Sequence, residues 1–324
     1  MGLGPVSSRL KSDHVLKIGT IVRLGPLAPD QPPQPYTAIR DMARRIEAAG
    51  LDSIWVYDHL LYRWPGRPTD GIWECWTVLS ALAEATQRIE LGTLVLCSQF
   101  RHPALVAKMA STLDEVSGGR FTLGLGAGWH RPEFDAFGVP YDHRGSRFEE
   151  ALRIIRPLLR DGRVDFDGPY YRARDCEIVP RGPTPGGPPL LAAGGGPRLL
   201  RLAAEHADAW NTAWHTSADS AAAAVSELHA ACQRAGRAPT SIAATVSVAV
   251  AYPDLGPPSG PGNGYLTGSP ERVAATLAAF AEVGVSQVMV DISPHSPAAL
   301  ARFSEAVTQF RAQPAQDPPI SSTW

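Results

Sequence analysis

The sequence predicts an α/β protein folded as a (β/α)8 TIM barrel, with an insertion between the fourth helix and the fifth strand. Eight apolar runs of strand length alternate with amphipathic helical patterns along the 324 residues. This alternation is typical of parallel βα units, and a barrel of this kind needs about 250 residues. A doubly wound open sheet would give a similar alternation, but eight units in a chain of this length favour the closed barrel.

The strands are short apolar runs, several of them rich in branched side chains, which suit a sheet buried on both faces. Because strands and helices alternate along the whole chain, one barrel accounts for all eight predicted strands. The strands are expected at residues 16–22, 53–56, 88–97, 121–125, 189–193, 207–212, 242–250 and 287–292.

The helices are predicted from apolar residues that recur on one face. In the first helix Ile39, Met42 and Ile46 share a face, and Pro103 and Pro270 each occupy a first helical position, where proline is tolerated. The helices are expected at residues 36–49, 74–86, 103–117, 146–160 and 197–206, in an Ala-rich stretch that ends at 235, from 270 onward, and in a last stretch that ends near 311.

The fourth of these helices and the segment after it interrupt the regular alternation. Ser146-Arg-Phe-Glu149 has the spacing of a capping box that opens the helix. Pro157 lies inside the pattern, where it is expected to kink the last turn. Residues 161–187 are rich in Gly, Pro and Asp and are interpreted as the insertion.

Composition narrows the class of protein. The formal net charge is -2 and there is no basic run, so neither nucleic acid nor an acidic membrane surface is an expected partner. No apolar stretch reaches the roughly 18 residues of a membrane span. The four cysteines are far apart and form no CxxC motif, which favours free thiols in the cytoplasm. Residues 1–15 are expected to be a disordered leader, 16–311 the barrel domain, and 312–324 a flexible tail.

Several motifs that would indicate other chemistries are missing from the sequence. It contains no HExxH motif, so no metal site is predicted. It also lacks GxSxG and the P-loop, and therefore gives no sign of serine hydrolysis or nucleoside triphosphate chemistry. A small organic substrate is the expected partner.

Chemically useful residues follow four of the predicted strands. In a barrel these strand ends meet at one mouth, where active sites are built. Asp58-His59 follows the second strand, a loop ending in His102 follows the third, and Gly124–His130 follows the fourth. Gly194–Gly196 follows the fifth strand and leads into a helix, whose bare N–H groups favour an anion such as phosphate.

Each of these features also has a purely structural explanation. The glycines can form a tight turn or allow strands to pack closely, and Asp58-His59 can be a cap or a buried polar pair. Of the tryptophans near the strand ends, Trp55 and Trp76 are interpreted as core residues. The others suit a flat, conjugated ligand in an apolar slot. These are Trp64, Trp73, Trp129, Trp210 and Trp214.

Longer stretches, taken together, resemble the bacterial luciferase-like flavin and deazaflavin oxidoreductases. The signature stretch is LGTLVLCSQFRHPALVAKMASTLDEVSGGRFTLGLGAGW, at Leu91–Trp129. Four further stretches match in order and spacing: DSIWVYDHLL, SRFEEALRIIRPLL, LLAAGGGPRLLRLAAEHADAWN and LTGSPERVAATLAAFAEVGVSQVMV. The resemblance covers residues 16–311 and implies an eight-stranded barrel with an insertion.

The resemblance also implies a cofactor and a set of roles. Asp-His after the second strand indicates the branch that uses coenzyme F420, a deazaflavin, and passes a hydride between its C5 carbon and a substrate. By position, His59 would be the proton donor or acceptor and Asp58 would contact the ring system or its ribityl edge. The remaining cofactor contacts implied are a cis peptide at Leu94–Val95 behind the ring, the backbone of Ala127 and Gly128, and a phosphate loop of Gly194, Gly195, Gly196 and Pro197.

One position departs from the family. Some sugar-phosphate dehydrogenases of the family carry an acid directly after the glycine pair, where this chain has Trp129, and Glu133 comes four residues later. This favours reduction of a C=C or C=N bond over oxidation of an alcohol. One alternative is a monooxygenase that uses oxygen and reduced FMN, with the reduced FMN supplied by a partner reductase. The other is a non-catalytic flavin-binding protein. The family resemblance further implies a homodimer formed through the early helices.

Overall fold

A computed structural model describes residues 16–28, 31–259 and 264–313, so the predicted leader and most of the tail lie outside the described residues. The strands, in chain order, are β1 (Lys17–Ile21), β2 (Ser53–Val56), β3 (Leu61–Tyr62), β4 (Asp70–Gly71), β5 (Glu90–Thr93), β6 (Leu96–Cys97), β7 (Phe121–Gly126), β8 (Arg163–Asp167), β9 (Arg172–Glu177), β10 (Leu190–Ala193), β11 (Ala209–Ala213), β12 (Ala243–Ala251) and β13 (Gln287–Ser293).

Helices follow the barrel strands and cover them. They are α1 (Tyr36–Ala48), α2 (Cys75–Ala85), α3 (Pro103–Val116), α4 (Arg131–Phe137), α5 (Arg144–Asp161), α6 (Pro197–His206), α7 (Ala218–Arg234), α8 (Pro270–Glu282) and α9 (Pro297–Ala312). In the described part of the chain, none of them combines the length and hydropathy needed to cross a bilayer.

Eight parallel strands close into the predicted TIM barrel. The ladder runs β1-β2-β5-β7-β10-β11-β12-β13 and returns to β1. Every residue of β7 and of β12 is buried, because the barrel interior covers one face and the helices cover the other. In α1 the predicted apolar face is buried, including Ile39, Met42 and Ile46.

The barrel interior is filled by a small apolar cluster to which six strands contribute. Trp55 is the largest member, and it lies so close to Gly92 that a Cβ atom there would be 2.2 Å from the indole ring. Only glycine at position 92 leaves room for the indole ring, so Trp55, which was predicted to be a core residue, packs inside the barrel. The other members are Ile21, Leu191, Ala209, Ala243 and Met289.

The third barrel strand is interrupted, whereas the sequence predicted one strand over 88–97. β5 and β6 both pair with β7, and the residues between them are joined by the predicted cis peptide at Leu94–Val95. The hydroxyl of Thr93 donates to the carbonyl oxygen of Gly124 at 2.7 Å, which ties the break to β7.

The capping box predicted at Ser146 is wrong. α5 begins two residues earlier, after His143 in a left-handed conformation. The Ser146 hydroxyl accepts a hydrogen bond from Arg198 instead, and the Glu149 carboxylate pairs with the same guanidinium. These side chains therefore join α5 to α6, and α5 continues past Pro157 to its end at Asp161.

The segment predicted as an insertion contains an antiparallel hairpin that stands outside the barrel ladder. β8 and β9 form this hairpin between α5 and β10. The Glu150 carboxylate of α5 accepts hydrogen bonds from the amides of Tyr170 and Tyr171 at 3.0 Å, which fastens the hairpin loop to the helix.

Candidate functional site

The mouth of the barrel has an apolar floor, built where the interior cluster meets the strand ends. Leu94, Val95, Ala193 and Trp214 pack on that cluster, and they come from the ends of three different barrel strands. The residues predicted to back a cofactor ring at Leu94–Val95 therefore lie at the centre of the mouth.

His59 is held by a buried carboxylate. Its Nδ1 lies 2.9 Å from Oε1 of Glu133, while Oε2 of the same carboxylate accepts the Leu60 amide at 2.8 Å. The Glu133 side chain is 1% exposed and that of His59 is 12% exposed. Because an ionised carboxylate only accepts, Nδ1 carries a proton and Nε2 is the atom left for proton exchange.

Glu133 was noted in the sequence but not predicted to contact His59. It lies in the first turn of α4, a helix in a stretch that was predicted to be loop. Pro132, one residue earlier, is the signal that could have found it, since proline in a first helical turn marks a helix start. That reading would have placed Glu133 just beyond the end of β7, beside the other strand ends.

Two large rings, Tyr62 and Trp129, stand beside His59, and the Trp64 ring packs against both of them. The Tyr62, Trp64 and Trp129 rings have centroids 6.0–6.2 Å apart and planes that differ by 24–35°. The imidazole of His59 is 4.5 Å from the Tyr62 ring and 5.5 Å from the Trp129 ring, nearly perpendicular to the latter at 78°. We call Tyr62, Trp64 and Trp129 the aromatic panel.

His130 packs against the rings of the aromatic panel as a neutral group. Its Nε2 accepts the Arg63 amide at 3.0 Å, and the side chain is buried against Trp64, with ring centroids 4.9 Å apart. Burial lowers the pKa of His130, which favours the neutral imidazole that can accept this hydrogen bond.

The Asp58 side chain is held in a buried ion-pair network, and the direct cofactor contact predicted from the sequence stays a prediction. Its side chain is 0% exposed, and its carboxylate accepts two hydrogen bonds from Arg101 and one from the Cys97 amide. Arg101 also pairs with Glu74, the residue that caps α2. Asp58 therefore fixes the loop after β2 against β6 and α2, and so positions its neighbour His59.

The neighbouring ends of β1 and β13 carry a second ion pair. Arg23, which follows β1, donates to the Asp291 carboxylate at 2.8 and 3.3 Å and to the backbone oxygen of Ser259. The Tyr57 hydroxyl accepts the Leu24 amide at 2.9 Å, and the Tyr57 ring is 6.1 Å from that of His59. Tyr57 thus lies between the segment after β1 and His59.

The glycines at the ends of β7 and β10 serve two different purposes. At Gly126 a Cβ atom would be 2.7 Å from Val95, and at Gly128, with φ of 70°, it would be 2.6 Å from Phe134. These two glycines allow close packing around the residues of the predicted ring site. At Gly195 and Gly196 nothing lies within 4 Å of the Cβ position, so this backbone is open where it enters α6.

Two buried polar atoms near the predicted ring site have no hydrogen-bond partner among the described residues. They are Oγ of Ser98 and Oε1 of Gln99, while Nε2 of Gln99 donates to the Ala127 carbonyl at 2.8 Å. The nearby Cys97 thiol is unreactive, since burial raises its pKa to about 12. Unpaired polar atoms beside an apolar floor fit a flat ring that carries polar edge groups.

Tight glycine packing, an apolar floor, unpaired polar atoms and an open backbone at a helix N-terminus together fit a deazaflavin or flavin with a phosphate. Among the described residues, no group of three or more His, Cys, Asp and Glu side chains is arranged to hold a metal ion.

Residues 17–255 match the family model described as luciferase-like monooxygenase. A segment of 173 residues is 35% identical to an F420-dependent glucose-6-phosphate dehydrogenase of Amycolatopsis mediterranei (strain U-32), and covers 52% of this chain and 50% of that protein. A segment of 144 residues is 38% identical to the pyrimidine monooxygenase RutA of Enterobacter sp. (strain 638), and covers 42% of this chain and 38% of that protein. The chain thus spans half or less of these relatives.

Solved structures share the fold over nearly the whole chain. An F420-dependent secondary alcohol dehydrogenase in complex with an F420-acetone adduct superposes with a TM-score of 0.75 at 19% identity, over 91% of this chain and 99% of that chain. The F420-dependent tetrahydromethanopterin reductase of Methanopyrus kandleri gives a TM-score of 0.72 at 19% identity, over 91% and 99%. At this level of identity the likeness concerns the fold.

Proposed function

The chain belongs to the luciferase-like monooxygenase family, and we propose that it is an F420-dependent oxidoreductase that transfers a hydride between the deazaflavin and a small organic substrate. The observation that carries the proposal is the contact between His59 and Glu133 at the barrel mouth, beside a glycine-lined apolar floor. It supplies a proton-transfer group next to a place for a flat cofactor.

F420 is proposed over FMN because the F420-dependent glucose-6-phosphate dehydrogenase matches a longer segment of this chain than the pyrimidine monooxygenase does, 173 residues against 144. When bound, F420 supplies or accepts a hydride at C5 of its ring. The ring would lie on Leu94 and Val95 with the Ala127 and Gly128 backbone at its edge, where Gln99 has an unpaired oxygen.

The cofactor phosphate is assigned to the backbone that enters α6. The residues proposed to hold it are Gly194, Gly195, Gly196 and Pro197. The Gly194 amide donates to the Asn211 carbonyl and Pro197 has no N–H, so the donors toward the anion would be the amides of Gly195, Gly196 and the first turn of α6. The aligned peptide dipoles of the helix favour a negative charge there. The open space at Gly195 and Gly196 leaves room for an anion against the backbone.

His59 is proposed to move the proton that accompanies hydride transfer. Glu133 fixes Nδ1 as a donor, so Nε2 is the atom that gives a proton to a reduced substrate or takes one from an alcohol. Asp58 is proposed to position His59 through its hold on the loop. The aromatic panel shields this proton path from water on one side.

A second candidate is a monooxygenase that uses reduced FMN and oxygen. The 38% identity to a pyrimidine monooxygenase favours it, and the same floor and phosphate backbone would accept FMN. The two candidates differ in oxygen consumption: hydride transfer from F420 consumes none, whereas a monooxygenase consumes one O2 for each product.

The test is an anaerobic turnover assay with reduced F420 and a set of unsaturated carbonyl and imine substrates, run beside the reverse assay with F420 and alcohols. We expect anaerobic turnover that His59→Ala reduces by about a hundredfold or more. Turnover that requires reduced FMN and oxygen would overturn the proposal. A homodimer through the early helices and a cytoplasmic location remain predictions, and sedimentation analysis tests the first.

A further inference from the structure

Two large apolar rings of the aromatic panel are exposed to solvent, which is unusual for tryptophan unless a ligand covers it. Trp129 is 53% exposed and Trp64 is 39% exposed, although both adjoin a buried histidine and a buried carboxylate. Exposed clusters of large rings at a cleft are binding surfaces more often than accidental ones. The panel is therefore a surface that a ligand would cover.

The orientation of the rings sets the shape of that ligand. The three planes differ by no more than 35°, so a flat molecule that lies parallel to one ring is nearly parallel to all three. A flat ring system gains from offset stacking on such rings, whereas a puckered saturated ring does not. The imidazole of His59 lies 4.5 Å from the Tyr62 ring and 5.5 Å from the Trp129 ring, close enough to meet a molecule stacked on either of them.

The basic side chains nearest the panel in sequence differ in how they are balanced. Nε of Arg63 donates to the neutral Thr69 hydroxyl and Arg144 donates to the Gly128 carbonyl, which leaves the positive charge of both in place, whereas Arg131 pairs with Asp135. Glu133 contributes a buried negative charge beside His59. The geometry of the rings, rather than charge, therefore defines the ligand.

We propose that Tyr62, Trp64 and Trp129 form the substrate wall, and that the substrate is a planar, conjugated molecule whose carbonyl or imine edge meets His59. This class includes unsaturated lactones and ketones and cyclic imines. The inference rests on the proposed function for the reaction that follows, but the binding that it predicts does not require the cofactor.

The test is isothermal calorimetry of the full-length protein without cofactor, using coumarin, octahydrocoumarin and glucose 6-phosphate as probes. Coumarin and octahydrocoumarin share one skeleton, but only coumarin is flat and conjugated. We expect coumarin to bind about tenfold more tightly than octahydrocoumarin, and glucose 6-phosphate to bind more weakly than either. Equal binding of the two lactones, tighter binding of the sugar phosphate, or no coumarin binding would each overturn the inference.

Variants locate the binding on the panel. Trp129→Leu keeps an apolar side chain but removes the ring, and is expected to weaken coumarin binding about tenfold, while Trp129→Phe restores most of it. Trp73→Leu is the matched control, because Trp73 is also exposed (47%) and does not belong to the panel. An equal loss in Trp73→Leu and Trp129→Leu, or no loss in either, would contradict the assignment.

The two proposals fail separately. If F420 does not bind but coumarin binding depends on Trp129, only the proposed function is rejected. If the protein oxidises glucose 6-phosphate with F420, the substrate class is rejected and the proposed function stands.

Discussion

The imidazole of His59 and the carboxylate of Glu133 face each other across the barrel mouth, with Nδ1 of the one 2.9 Å from Oε1 of the other. The two residues are 74 positions apart in sequence and follow different barrel strands. A barrel brings such residues together because its strand ends share one face. The contact determines which nitrogen of His59 is available for chemistry.

Replacing Glu133 by Gln should reverse the tautomer of His59. The Leu60 amide donates to one position of this side chain and so holds the Gln oxygen, which leaves the Gln NH2 group facing Nδ1 as a donor, whereas the carboxylate can only accept there. We expect the ¹⁵N spectrum of His59 to change from an Nδ1-protonated to an Nε2-protonated form, and kcat with reduced F420 to fall about tenfold or more. Asp135→Asn, at an exposed position of the same helix, is the control. An unchanged spectrum and unchanged kcat would show that Glu133 does not position His59.

Replacing Asp58 by Asn should destabilise the fold. Arg101 would then be left without one of its charged partners in a largely buried site, and breaking a buried pair of this kind costs about 3 kcal/mol. Urea denaturation measures the change in the free energy of unfolding. Asp254→Asn removes the partner of Arg302 at an exposed position and should change little. Equal effects of the two substitutions would refute the role given to Asp58.

Two glycine substitutions should affect different properties: one should weaken cofactor binding and the other should lower the stability of the fold. Gly195→Ala places its methyl group in open space, so the melting temperature should not change. The affinity for F420 should fall about tenfold, because the methyl group blocks the place of the anion. Gly124→Ala would place a Cβ atom 1.9 Å from the Thr93 carbonyl oxygen and should cost about 3 kcal/mol of stability. If Gly195→Ala binds F420 as tightly as the wild type, the phosphate lies elsewhere.

His295 should make stability depend on pH. Burial, with a smaller effect from Arg23, lowers its pKa to about 4. A folded pKa below the unfolded value means that the unfolded chain binds the proton more readily, so stability is full above about pH 6.5 and declines as the pH falls toward 4. Between about pH 7 and pH 4.5 the wild type should lose roughly 2–3 kcal/mol more than His295→Gln. Parallel urea titrations of the two proteins measure this, and identical pH profiles would contradict it.

The barrel could be predicted from the sequence because each strand and helix carries its own local pattern. The apolar runs at β7 and β12 and the buried face of α1 are visible without any tertiary contact. The cis peptide at Leu94–Val95 has no such local signal, and only the family resemblance located it.

The site was only partly predictable, for a physical reason. His59 and the glycines were found because they follow strands, but the contact with Glu133 depends on how α4 folds back over the mouth. The partners of Asp58 and Ser146 were hidden for a similar reason, because Arg101 and Arg198 are distant in sequence. At Ser146 the contact with Arg198 replaces the local capping box that the sequence suggested.

The central claim is that the barrel mouth holds F420. It is tested most directly by fluorescence titration of the purified protein with F420 and, separately, with FMN. We expect F420 to bind more tightly than FMN, and Gly195→Ala to weaken that binding without unfolding the protein. Tighter binding of FMN would contradict the account and make an oxygen-consuming monooxygenase the better description of this protein.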